Sequence, residues 1–215
     1  MESRSLSTKA RALAWAFCFA MHSIAKQACL RPVAAGDLPG WNRYNYGVAN
    51  VRKTGVSKVS NEKTVIRDFR PEDMDELYEV DQICFPPGIA YGLEELSYYI
   101  QQPQAFTLVA EWRKNQIGGF ILVQKMRRGI AHVVSIDVRP EARRMRIGTE
   151  LMHAAEERLR SGEWRALYLE TAVDNLAAIQ FYKRHGYSVV KTIPRYYRNE
   201  IDALLMVKQM KHPAT

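Results

Sequence analysis

A chain of 215 residues with 47% hydrophobic, 10% aromatic and 25% charged side chains has the make-up of a folded protein, which excludes collagen-like, low-complexity and wholly disordered classes. The net charge of +8 suggests a polyanion partner only until it is located. Residues 1–60 hold nine Lys and Arg against two Asp and Glu, which is +7, while residues 61–215 hold 22 against 21, which is +1. The larger part therefore has no general positive field, and no nucleic-acid partner is expected. Cys18, Cys29 and Cys84 are an odd set without metal-ligand spacing. Neither a disulfide framework nor a metal site is expected, and a reducing, cytoplasmic compartment fits.

Residues 1–60 read as a basic extension and linker, and residues 61–215 as one folded domain. The uncharged stretch between Arg11 and Lys26 has 14 residues, short of the roughly 20 that span a bilayer. It resembles a secretory signal, with Arg4, Lys9 and Arg11 as its basic start, Ala12–Met21 as its apolar centre and Ser23-Ile24-Ala25 as a small-residue cleavage site. Export is thus the minor alternative to a cytoplasmic location. Gly36 to Ser60 has the Gly, Pro, Asn and Ser content of a linker.

From Thr64 the pattern becomes regular. Thr64–Phe69 is a short β-rich run, and Pro71 opens an acidic helix through Phe85, with proline in its first turn and acids at the positive end of its dipole. Pro86-Pro87-Gly88 ends that helix. Leu93–Gln101 is a second helical piece, and Phe106–Trp112 and Ile117–Lys125 form an antiparallel hairpin. Ala131–Val138 is a strand, Gly148–Arg160 a helix, Ala166–Ala172 a strand, and Asn175–His185 a helix stopped by Gly186. Tyr187–Ile193 and Ala203–Met210 close the chain as strands. The order β-α-α-β-β-β-α-β-α-β-β predicts an α/β protein with a mixed sheet and helices on both faces.

Three segments carry candidate chemistry. In Ser135–Met152 an apolar strand ends at Val138, a turn containing Arg143, Arg144 and Arg146 follows, and Ile147-Gly148 opens a helix. Free N–H groups at a helix start, together with guanidinium groups, suit a phosphate. Gly148 would allow close approach to the backbone. The plain alternative is a surface turn with solvated arginines. In Leu167–Tyr187, Asp174 is positioned to cap the helix. Asn175 and Tyr182, seven apart, share one helix face. A tyrosine hydroxyl, pKa about 10, is able to protonate a departing thiolate, whose conjugate acid lies near 8.5; otherwise Tyr182 is an amphipathic core residue. Glu170 stands inside a strand, where an ionised carboxylate is costly unless paired or set at a cleft. That makes it a candidate general base, or else a strand-end acid facing water or an arginine.

The RRMRIG turn, the ETAVDNLAAIQFYKRHGY block and the Phe85-Pro86 pair together resemble the GNAT family of N-acetyltransferases, in its RimI-like ribosomal-protein alanine N-acetyltransferase branch. The resemblance covers roughly Lys63–Lys211. It implies the GNAT acyl-CoA N-acyltransferase fold and acetyl transfer from acetyl-CoA to a primary amine, foremost a protein N-terminus such as that of a ribosomal protein, with no metal. By the resemblance, the backbone of the Ile136–Asp137–Val138 strand would hold the pantetheine arm. The turn from Arg143 and Arg144 through Met145, Arg146, Ile147 and Gly148 to Thr149 would hold the pyrophosphate. Asn175 would touch the cofactor near its thioester, Tyr182 would be the general acid and Glu170 the base acting through water. Tyr196 and Tyr197, in a loop, would line the acceptor slot opposite a wall made by Phe85, Pro86 and Tyr91. Arg146 stands where the family signature has glycine, and a negative φ is expected there. A small amine or a lysine as acceptor, or a CoA-binding module without turnover, are the alternatives.

Overall fold

The computed structural model describes residues 64–210 except 114, 115, 163 and 199. The leader and linker expectations for residues 1–60 lie outside the described residues. Among the described residues no helix is long and apolar enough to cross a membrane.

The elements follow in the expected order. Strand β1 (Val65–Asp68) leads through a 3-10 turn, Pro71–Asp73, into α1 (Met74–Cys84) and then α2 (Leu93–Ile100). Strands β2 (Ala105–Trp112), β3 (Gln116–Met126) and β4 (Ile130–Val138) come next. A 3-10 turn, Pro140–Ala142, leads on to α3 (Ile147–Arg160), and β5 (Ala166–Ala172), α4 (Leu176–Arg184), β6 (Ser188–Tyr197) and β7 (Ile201–Gln209) complete the fold. The sheet order is β1-β2-β3-β4-β5-β7-β6. Only β4 and β5 run parallel, because α3 carries the chain back between them. All other neighbours are antiparallel.

Each sheet face buries a separate apolar layer. On one face Phe106, Leu108, Ile121, Val123, Ala131 and Val133 meet Leu151, Met152 and Leu159 of α3 and Tyr182 of α4. On the other, Val109, Ile117, Phe120 and Leu122 meet Leu77 and Val80 of α1 and Leu96 of α2. Two bulges change which side chains face which layer, since one extra residue inverts the alternation of a strand. Gly118 is extra where Ala110 pairs with Gly119 but Glu111 pairs with Ile117. Val134 is extra where Leu122 pairs with Ser135 but Val123 pairs with Val133. After Val134, Asp137 lies opposite Phe120 and so faces α1, while Ile136 lies opposite Ile121 and faces α3.

Buried Arg139 secures the end of β4. Its Nε donates to the Ile117 carbonyl at 2.9 Å, and its Nη2 reaches Glu79 at 2.8 Å and Glu76 at 3.4 Å. Glu76 accepts the Ile117 N–H at 2.9 Å. Helix α1 is thereby tied to both strands at the point where the cleft opens.

Candidate active site

The cleft begins where β4 and β5 part. Their pairing consists of Ile130 with Ala166, Ala131 with Leu167 and His132 with Tyr168. Beyond that point β4 continues to Val138 and β5 to Ala172 without partnering each other. The edge of β4 past His132 is thus left with backbone donors and acceptors facing the gap. Gly119 lets β3 approach closely enough to hold this edge, for a Cβ there would stand 2.4 Å from the Asp137 carbonyl oxygen. The Val138 carbonyl is already engaged by the Cys84 thiol at 3.3 Å and the Arg143 Nε at 3.2 Å. Asp137 can offer the gap only its backbone, because its side chain is buried toward α1.

The turn after β4 presents Arg143, Arg144, Met145 and Arg146 to solvent and then buries Ile147. Arg146 does not take the expected negative φ. It stands at φ 67° and ψ 3° as the N-cap of α3, and Arg144 is left-handed too, at φ 65°. The reversal between exposed Met145 and buried Ile147 requires a left-handed residue just before the helix. Glycine meets that need without strain, whereas an L side chain there costs about 1–2 kcal/mol. Arg146→Gly is therefore expected to raise Tm by about 2–4 °C, the shift that roughly 1 kcal/mol gives a domain of this size. An unchanged or lower Tm in a thermal melt would show that the arginine side chain offsets its own strain. Gly148 is not left-handed; a Cβ on it would meet Phe181 at 3.5 Å and Val138 at 3.6 Å, ordinary contacts.

Glu170 lies on β5 opposite Leu205 of β7. Its side chain is 5% exposed, and its Oε2 sits 2.7 Å from His132 Nε2. Its Oε1 is buried with no partner among the described residues. The plain alternative of an arginine partner is not what is found. His132 and Tyr168 were not singled out in the sequence. They enter because β4 and β5 run parallel in register there, and their rings stack at 4.4 Å with an angle of 8°. Burial, then the Glu170 charge, push the phenols of Tyr168 and Tyr197 well above their usual range. Glu170 is thus a buried acid beside His132 with one oxygen that has no partner among the described residues.

Tyr182 of α4 is 9% exposed and packs against Phe181 at 5.4 Å and Tyr187 at 5.9 Å. Burial, then the charges of Tyr197 and Asp137, hold its hydroxyl protonated well beyond the ordinary tyrosine range. Asp174 does not cap α4. Asn175 does, its Oδ1 accepting the Ala178 N–H at 3.2 Å, because the chain turns into the helix one residue later than expected.

Tyr196 and Tyr197 lie at the end of β6 rather than in a free loop. The hairpin is irregular between Ile193 and Tyr197, where left-handed Arg195 donates its N–H to Asp202 at 2.8 Å. Pairing resumes at Tyr197 with Ile201, which prolongs the strand past its expected end. Opposite stands the Phe85–Tyr91 segment. Asp81 accepts the Tyr91 N–H at 2.8 Å and Gln82 donates to the Tyr91 carbonyl at 2.8 Å. Gly88, at φ 85°, lets the Arg198 guanidinium lie against the loop: a Cβ there would stand 3.3 Å from its Nε. The Phe85–Tyr91 segment thus lies against Arg198, next to the end of β6 that carries Tyr196 and Tyr197.

A parallel strand pair that parts and an arginine-rich turn that opens a helix suit an enzyme taking an anionic co-substrate. The model of the acetyltransferase (GNAT) family matches residues 74–187, and the chain belongs to that family. It is 33% identical over 146 residues to an uncharacterized N-acetyltransferase of Methanocaldococcus jannaschii, covering 67% of this chain and 91% of that one. It is 31% identical over 154 residues to an N-alpha-acetyltransferase of Sulfurisphaera tokodaii, covering 66% and 90%. Among solved structures, the ribosomal-protein-S18-alanine N-acetyltransferase of Escherichia coli matches with a TM-score of 0.64 at 19% identity, over 71% of this chain and 97% of that one. The expected mixed sheet with helices on both faces is the GNAT fold.

Proposed function

We propose that residues 61–215 form a domain that moves the acetyl group of acetyl-CoA to the α-amino group at the N-terminus of a protein chain, with residues 1–60 standing outside it. The single observation that carries this is Glu170 on β5, its side chain buried, paired with His132 and keeping one oxygen without a partner among the described residues, two residues past the point where β4 and β5 part. The names of the Sulfurisphaera tokodaii relative and the Escherichia coli neighbour support the same acceptor class.

The residues present fit the co-substrate. The first N–H groups of a helix lack an intrahelical acceptor, so the start of α3 at Ile147 suits a pyrophosphate. Arg143, Arg144 and Arg146 are exposed in the turn that precedes that terminus, and the Ile136 backbone lies on β4 beyond its pairing with β5. Bound there, acetyl-CoA supplies an acetyl group activated as a thioester. Glu170 draws a proton from the incoming ammonium through a water molecule, and His132 fixes the carboxylate in place. An α-amine, pKa about 7.7–8.0, needs less help than a lysine at about 10.4, which suits a single carboxylate base. With the co-substrate bound, Tyr182 would be the residue to offer its hydroxyl to the departing sulfur.

Titration calorimetry with acetyl-CoA tests the cofactor half. Binding is expected to weaken as salt rises, because arginine–phosphate contacts are screened. Absence of measurable heat at low salt would contradict the assignment.

A further inference from the structure

The end of β6 that carries Tyr196 and Tyr197 is weakly fixed by the sheet. β6 is the last strand in the sheet order and has only β7 for a neighbour. None of its ten residues is buried. Its pairing lapses between Ile193 and Tyr197 and resumes with Tyr197 opposite Ile201. A strand end with little buried apolar surface and broken pairing opens easily unless another contact holds it.

Arg198 makes such a contact. It begins the turn that the Glu200 N–H closes on the Tyr197 carbonyl at 3.0 Å. Its guanidinium lies over Gly88, where a Cβ would stand 3.3 Å from Nε, 3.4 Å from Cζ and 3.6 Å from Nη2. Arg198 is left-handed at φ 54°, and so is Gly88 at φ 85°. Left-handed backbone is uncommon outside glycine, and it persists where the surrounding contacts over-determine it. The Phe85–Tyr91 segment offers a firm seat. The Pro86 carbonyl accepts the Ile89 and Ala90 N–H groups at 3.0 and 3.2 Å, and Asp81 of α1 accepts the Tyr91 N–H at 2.8 Å.

We propose that Arg198 is a positioning residue: seated on Gly88, its guanidinium clasps the end of β6 to the Phe85–Tyr91 segment and so sets the separation between Tyr91 and the Tyr196–Tyr197 pair. The proposal rests on the acetyl transfer proposed above, with these tyrosines lining the acceptor's path as the resemblance implies. The clasp then fixes the width open to the acceptor's first residues. The chemistry of both partners suits it. A planar guanidinium can lie on bare peptide backbone, which an ammonium does less well, and only glycine leaves that backbone bare. No Lys, Arg or His stands between Arg70 and Arg113, whereas Glu94 and Glu95 follow the segment in the first turn of α2. Arg198 thus meets no like charge from the segment it rests on or from the helices on either side of it.

The test is a double-variant cycle on the full chain: Gly88→Leu, whose added atoms fill the seat, Arg198→Met, which removes the guanidinium, and the two combined. The strain of a side chain at φ 85° is present in both backgrounds and cancels. For one acceptor peptide at saturating acetyl-CoA, each single change is expected to raise KM about fivefold, with kcat within about twofold of wild type. Once Arg198 is gone, Gly88→Leu should raise KM by less than about twofold. Tm should show the same coupling, Gly88→Leu lowering it by about 2 °C more in the wild-type background than in Arg198→Met. Equal Tm effects in the two backgrounds would overturn the clasp. Coupled Tm with unaltered KM would overturn its part in positioning. Should Gly88→Leu fail to fold, Arg198→Lys takes its place. Lysine keeps the charge without the planar group and should match Arg198→Met in KM, whereas a wild-type KM would overturn the seat on Gly88. The thermal arm needs no turnover, so it decides the clasp even if no peptide is acetylated, the separate outcome that would sink acetyl transfer itself.

Discussion

Glu170→Gln is expected to lower turnover about 100-fold near pH 6.5, within the range that general base catalysis supplies. The loss should shrink as pH rises past the amine's own pKa of about 7.7–8.0, because the acceptor then arrives deprotonated. Glutamine keeps the shape of the side chain and can still hydrogen-bond to His132, so the packing around it should persist. The measurement is the pH profile of kcat/KM for one peptide. An equal loss at every pH would make Glu170 a structural residue, and no loss would transfer the proton to another group.

Tyr182→Phe is expected to reduce kcat by about 10-fold to 100-fold with little change in acetyl-CoA affinity. The ring packs between Phe181 and Tyr187, and phenylalanine preserves that packing, so only the hydroxyl is tested. Burial has a chemical consequence here. A phenol held well above its ordinary pKa of 10 is a weak acid toward a thiolate whose thiol lies near 8.5. In the proposed reaction Tyr182 would therefore act on the sulfur chiefly as a hydrogen-bond donor, a role that a buried setting favours. For the same reason it should not produce an alkaline limb in the rate profile below pH 10. Unchanged turnover in the phenylalanine variant would remove the hydroxyl from the reaction.

The order of elements was legible because it rests on local signals. Pro71 opens the 3-10 turn that leads into α1, Gly186 follows α4, and the apolar periodicities separate strands from helices. The arginine-rich turn before α3 and the placement of Glu170 within β5 were legible because both depend on local residue type. What escaped depends on register. His132 lies beside Glu170 only through three pairs of parallel strand. Asp137 turns toward α1 only because Val134 is extra, and no residue type announces that bulge. The left-handed Arg146 and the cap at Asn175 in place of Asp174 are set by how the chain closes onto a buried neighbour. Tyr196 and Tyr197 read as loop because Pro194 and the two arginines around them look like turn residues. The β6–β7 hairpin absorbs them by an irregular register and left-handed backbone at Arg195 and Arg198.

The most direct test of acetyl transfer to a chain terminus is a panel of peptides that differ in their first residue. Each carries an internal lysine and is prepared with a free or a blocked α-amine. Incubation with acetyl-CoA should release CoA only with free termini, and fragmentation mass spectrometry should place the acetyl group on the first residue. Release with blocked peptides, an acetyl group on the lysine side chain, or no release from any peptide would contradict it.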